Sequence, residues 1–174
     1  MRKIAPHMVW REQPWFQPAY EKYGRSVAGI PEVRCFFLQS AIRSLSGVPG
    51  AVAECGTRNG KSALYMPEAC VGERPFYLFD SFEGLSDPVA GKDTLRSAFS
   101  DTGKRIFESN FPAVERRLAP FPQVHIMKGW IPDRFAEVAH LEFCLVHIDV
   151  DLYRPILDSL EFFYGCTVRH GHLR

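Results

Sequence analysis

No apolar run in this chain is long enough to span a bilayer. Neither sign of charge prevails: 21 Lys and Arg stand against 20 Asp and Glu, a net charge of +1. That balance removes the electrostatic reason to expect nucleic acid or an anionic membrane as a partner. Paired cysteines are lacking too. Cys35, Cys55, Cys70, Cys144 and Cys166 make an odd number, and no two form a C-x-x-C. Small buried thiols in a reducing cytoplasm are the expectation. The start, "MRKIAPHMVW", has basic residues but not the apolar stretch of a secretory signal. There are no internal repeats and no low-complexity tracts.

What is present is an ordinary globular mix, 46% apolar and 24% charged over 174 residues. That length suits a single domain with a sizeable core, residues 1–174. The first thirty residues, rich in Pro and aromatics, read as an irregular arm. Their Trp10, Trp15, Phe16, Tyr20 and Tyr23 need a packing partner, a dimer contact or a substrate pocket. From residue 31 the chain reads as an α/β core. "IPEVRCFFLQSAIRSL" has apolar residues near helical spacing. Strand and helix then alternate. "GAVAECG", "PFYLFD", "PQVHIMKG" and "LEFCLVHIDV" read as strands. "KSALYMPEAC", shortened or bent by Pro67, residues 104–119, interrupted at Pro112, "PDRFAEVA" and "YRPILDSLEFFY" read as helices. The alternation predicts a mostly parallel sheet with helices on both faces. Residues 83–103 form a polar loop too long for a mere connector and more like a lid.

In such sheets ligands lie beyond the C-terminal strand ends. The first strand ends in "ECGTRNGKS", where Gly56 and Gly60 permit a tight turn before free helix N–H groups. The second ends in Asp80, twenty residues after Gly60, placed for a ribose hydroxyl pair. The third ends in Gly129 and Trp130. The fourth ends in Asp149 and Asp151, carboxylates that burden an apolar strand unless a partner compensates them. There is no G-x-G-x-x-G, which argues against a dinucleotide pyrophosphate. A nucleoside ligand without pyrophosphate, S-adenosylmethionine, fits better.

"VAECGTRNGKSA", "YLFDSFEGL", "MKGWIPD" and "VHIDVDLYRPILDSLEFFY" resemble successive blocks of the macrocin O-methyltransferase family, over roughly residues 30 to 173. The resemblance implies a Rossmann-like class I, metal-dependent methyltransferase. It would move a methyl group from S-adenosylmethionine to a hydroxyl of a small molecule such as an antibiotic sugar. By it, Glu54, Gly56, Thr57, Gly60 and Ser62 would shape the methionine pocket. Asp80 would hold the ribose, with Ser81 and Phe82 beside it, and Gly129 and Trp130 would lie against the adenine. Asp149 would bind Mg²⁺, and Asp151 would be the base. Family members are often homo-oligomers. The family also has an adjacent aspartate pair after a fifth strand, which completes its metal site. Here "HGHL" looks like the turn into that strand, and the pair would fall beyond Arg174. The last strands are therefore expected to be missing, which would leave the fourth strand unpaired on one side. Three other readings stay open. Asp-x-Asp also marks glycosyltransferases, "His147-x-Asp149" matches part of a facial iron triad, and the chain could be an inactive cofactor-binding fragment.

Overall fold

The computed structural model describes residues 6–24, 27–70 and 72–168. Four strands, β1 (Ala51–Cys55), β2 (Phe76–Asp80), β3 (Val124–Lys128) and β4 (Phe143–Ile148), form one sheet in the order β3-β2-β1-β4. Every pairing is parallel. The chain steps outward from β1 to β3, then returns to the other side of β1. The strand order therefore reverses between β1 and β4, which opens a crevice at their carboxyl ends.

β1 is central because it can be buried on both faces. Ala51, Ala53 and Cys55 point into a core with Phe79, Phe135, Phe143 and Phe163. That core is closed by a 3-10 turn, Phe135–Val138, and by α6 (Tyr153–Cys166). Val52 points the other way, against Ile42, Met66 and Phe76. α1 (Gln17–Tyr23), α2 (Glu32–Ser44), α3 (Lys61–Glu68) and α5 (Phe111–Leu118) cover this second face. Helices lie on both sides, as the strand–helix alternation predicts.

The N-terminal segment departs from the expected irregular arm. It contains a 3-10 helix, Pro6–Glu12, and then α1. Its aromatics supply the reason. Phe16 is fully buried and stacks on Tyr65 of α3, while Trp10 and Trp15 pack against Phe36 of α2. These rings cover the sheet rather than waiting for an outside partner, and burial of such large groups outweighs weak local propensity.

Pro112 does not interrupt a helix. The break falls earlier, between α4 (Asp101–Arg105) and α5, and Pro112 sits in the first turn of α5, where its missing N–H costs nothing. Asn110 caps that turn by accepting from the Ala113 N–H at 3.0 Å. Pro67 lies in the last turn of α3 and shortens it. β4 is not bare along its whole outer edge. Thr167 pairs in parallel with Phe143, and the Val168 N–H donates to the Phe143 carbonyl at 2.9 Å. The expected turn at "HGHL", with His170 and His172, lies outside the described residues.

All five cysteines are free thiols. Burial pushes Cys35 and Cys55 up to about 12, which leaves them inert at neutral pH. No helix among the described residues is long and apolar enough to cross a membrane.

Candidate functional site

The four strand ends converge. Gly56, Asp80, Trp130, Asp149 and Asp151 line one cleft of about 640 Å³. A second, of about 780 Å³, shares Gly56, Asp149 and Asp151 and extends to Thr57, Gly60's neighbour Lys61, and Ser62. The two meet over the β1–β4 crevice.

Gly56 shows why that junction needs glycine. Its φ is +93°, and a Cβ there would stand 2.8 Å from the Asp149 carbonyl carbon. The two strand ends touch through backbone, tied by the Asp149 N–H to the Cys55 carbonyl at 2.9 Å. Gly60, φ +76°, turns the chain into α3.

Asp80 organises the opposite wall. One carboxylate oxygen accepts the Arg58 N–H and the other the Phe82 N–H, each at 2.6 Å. Among the described residues, Arg58 (φ +46°) and Phe82 (φ +62°) are the non-glycine residues with positive φ. Both strained residues are thus held by one carboxylate, and such strain persists only where its surroundings impose it. Burial pushes the Asp80 carboxyl up despite these two hydrogen bonds. The Thr57 N–H is a third backbone donor toward this carboxylate. Ser81 is buried and accepts from the Glu83 N–H at 3.1 Å. Phe82 is buried against Phe111. The Gly129 N–H donates to the Asp80 carbonyl at 2.9 Å, which brings Trp130, 37% exposed, to the cleft.

Glu54 is fully buried and is not a wall of either cleft. Its register partner on β4 is His147, whose Nδ1 lies 3.1 Å from Glu54 Oε1. Burial opposes charge on His147, but the Glu54 hydrogen bond and carboxylate outweigh it and hold the imidazole above its ordinary range. Glu54 Oε2 and the Thr57 hydroxyl are buried without a partner in the structure.

Asp149 lies 3.5 Å from the Arg34 guanidinium, whose charge compensates it. Lost solvation, and then the neighbouring Asp149 charge, push the Asp151 carboxyl up. Among the described residues no three His, Cys, Asp or Glu side chains group to hold a metal. Mg²⁺ takes six oxygens in near-ideal geometry. It can keep several of these as waters beside one or two carboxylates, but the Arg34 charge facing Asp149 opposes a cation at that carboxylate.

The sequence reading missed three cations. Arg34 arrives from α2, Lys61 pairs with Glu32 at 3.0 Å, and Arg58 donates its guanidinium to the Ile106 carbonyl at 2.9 Å. Arg58 and Lys61 stood inside the glycine-turn motif and carried a signal by position. Arg34 stood in a helix, and nothing local marked it.

The sequence profile of the Macrocin-O-methyltransferase (TylF) family matches residues 24–173. An 8-demethyl-8-(2,3-dimethoxy-alpha-L-rhamnosyl)-tetracenomycin-C 4'-O-methyltransferase from Streptomyces olivaceus is 25% identical, over 92% of this chain and 71% of its own. The O-methyltransferase NovP superposes with a TM-score of 0.66 at 22% identity, over 79% of this chain. This chain spans 62% of the NovP chain. CalS11, a calicheamicin methyltransferase, gives 0.63 at 17% identity, over 95% of this chain and 76% of its own. Another structure of CalS11 describes it as a TDP-rhamnose 3'-O-methyltransferase. The structural likenesses establish the α/β methyltransferase fold, and the profile, matching most of the chain, establishes the family. The chain belongs to the macrocin O-methyltransferase family.

Proposed function

We propose that this chain binds S-adenosylmethionine and transfers its methyl group to a hydroxyl of a small-molecule acceptor, with a deoxysugar such as rhamnose as the acceptor class. The convergence of Asp80, Gly56, Asp149 and Asp151 on one crevice carries the reading. The acceptor class comes from the rhamnose hydroxyls named for two of the relatives.

The Asp80 carboxylate faces the cleft as a charged acceptor, which suits the two hydroxyls of a ribose. Ser81 and Phe82 close that side, and Gly129 and Trp130 offer the adenine a backbone edge and a ring. Thr57, with its unpartnered buried hydroxyl, Gly60 and Ser62 at the start of α3 suit the methionine end. Glu54 acts on this wall through β1, which leads into Gly56, and through His147. Bound S-adenosylmethionine supplies an electrophilic methyl group. Asp151 accepts the proton of the attacking hydroxyl, and its raised carboxyl makes it a better base than an ordinary aspartate. Asp149 would be the contact for Mg²⁺. The described residues add no third His, Cys, Asp or Glu donor beside Asp149 and Asp151. Turnover with and without EDTA decides whether it is needed.

The test is calorimetric titration with S-adenosylmethionine and with NAD. Binding of the first and not the second is expected. NAD binding without any response to S-adenosylmethionine would overturn the assignment. Asp80→Ala removes a charged acceptor from two ribose hydroxyls and two strained loops. It is expected to weaken the donor by at least about 2 kcal/mol, roughly thirtyfold. An unchanged affinity would remove Asp80 from the site.

A further inference from the structure

The polar segment between β2 and α5 is fastened to the candidate site at two points: Arg58 holds the Ile106 carbonyl near its end, and Asp93 ties its middle to α6. Asp93 uses both carboxylate oxygens. One accepts the Val89 N–H at 2.7 Å and closes a turn within the segment. The other accepts the Tyr153 N–H, also at 2.7 Å, sixty residues away. Tyr153 is the first residue of α6, and the residue in the capping position, Leu152, offers no side-chain hydrogen bond. Asp93 therefore supplies from another segment the cap that the helix lacks, with its negative charge at the positive helix end. Lys92 adds a second contact, with its ammonium 5.3 Å from the Tyr153 ring centre. Tyr153 follows Asp151 by two residues, and Leu85 and Ser86 of the same segment line the cleft that Asp151 lines.

We propose that Asp93 is a positioning residue, a latch that joins the segment over the cleft to the first turn of α6 and thereby holds the Asp149–Asp151 turn in place. The consequence for methyl transfer rests on the functional reading above; the latch itself does not. If the segment lifts, Asp93 leaves with it, the first turn of α6 loses its cap, and the base loses its fixed position. Closure over the cleft and alignment of Asp151 become one event.

Amide hydrogen exchange on the full chain tests this directly. In Asp93→Ala, the Tyr153 and Val89 amides should exchange at least about tenfold faster, and the Asp149 amide, bonded to Cys55, should accelerate with them. Asp93→Asn keeps one carbonyl acceptor and should rescue part of the protection. Exchange at Ala53, fully buried in β1 and paired on both sides, reports global stability and should stay near the wild-type rate. Wild-type exchange at Tyr153 in Asp93→Ala overturns the latch. Fast exchange at Tyr153 with no change at Asp149 overturns the positioning role. With TDP-rhamnose as acceptor, Asp93→Ala should lower kcat about tenfold while KM for S-adenosylmethionine holds, and Asp93→Asn should recover part of it. A wild-type chain that neither binds the donor nor methylates overturns the functional reading, and the exchange rates still judge the latch.

Discussion

Gly56→Ala puts one methyl group where β1 and β4 meet. The new Cβ would lie 2.8 Å from the Asp149 carbonyl carbon, closer still to its oxygen, and 3.1 Å from a Val150 methyl. An ordinary contact begins near 3.4 Å, so the carbonyl carbon must retreat by about 3.4 − 2.8 = 0.6 Å, and the oxygen by more. The obstacle is backbone, which has no rotamer to change. The left-handed φ of +93° adds about 1–2 kcal/mol for any residue with a Cβ. Separating the strand ends also stretches the Asp149 N–H bond to Cys55, worth about 1–3 kcal/mol when its groups are buried and left unpaired. The sum is a destabilisation of about 2–5 kcal/mol. It falls on the turn that carries both aspartates, so turnover should drop by about a hundredfold, even in the fraction that folds. Urea unfolding followed by circular dichroism gives the first figure, and methyl transfer at saturating donor gives the second. Gly47→Ala is the control, since nothing lies within 4 Å of that position. A Gly56→Ala protein within about 0.5 kcal/mol of wild type, with unchanged turnover, would refute the argument that backbone contact sets this junction.

Asp151→Asn keeps the shape of the side chain and removes its basicity. Turnover should fall by about 10² to 10⁴, with donor affinity within twofold by calorimetry; intact turnover would move the base elsewhere. Glu32 sits below its ordinary range: burial pushes it up, but its own backbone N–H and Lys61 outweigh burial. A depressed carboxyl stabilises the fold above its unfolded value of 4.5, and that contribution is lost as pH falls through the folded value. Glu32→Gln, which leaves the 7%-exposed Lys61 without its ion pair, should cost about 1–2 kcal/mol at pH 7. The gap should close below pH 4.5 in a urea series. Gly165→Ala fills open space near the end of α6 and should stabilise by a few tenths up to about 1 kcal/mol in thermal melts.

The order of strands and helices was legible in the chain itself. Apolar runs such as "AVAEC" and "FCLVHI", bounded by glycine, proline or charge, can be satisfied only inside a covered sheet, so their periodicity carries the architecture. The position of Asp80, Gly129 and Asp149 at strand ends followed from the same pattern. Three things did not. The helical form of residues 6–24 depends on Phe16 and Trp10 meeting Phe36 and Tyr65, rings that lie up to 49 positions further on for Phe16 and Tyr65. The pairing of Arg34 with Asp149 depends on where α2 crosses the sheet. The bond from Asp93 to Tyr153 depends on how a loop returns over the crevice. Local sequence decides what each segment can bury, because periodicity and backbone sterics act over a few residues. Which charges meet across the crevice is settled only when the sheet has brought distant segments to one place, since a side chain's partner is a matter of distance in space and not along the chain.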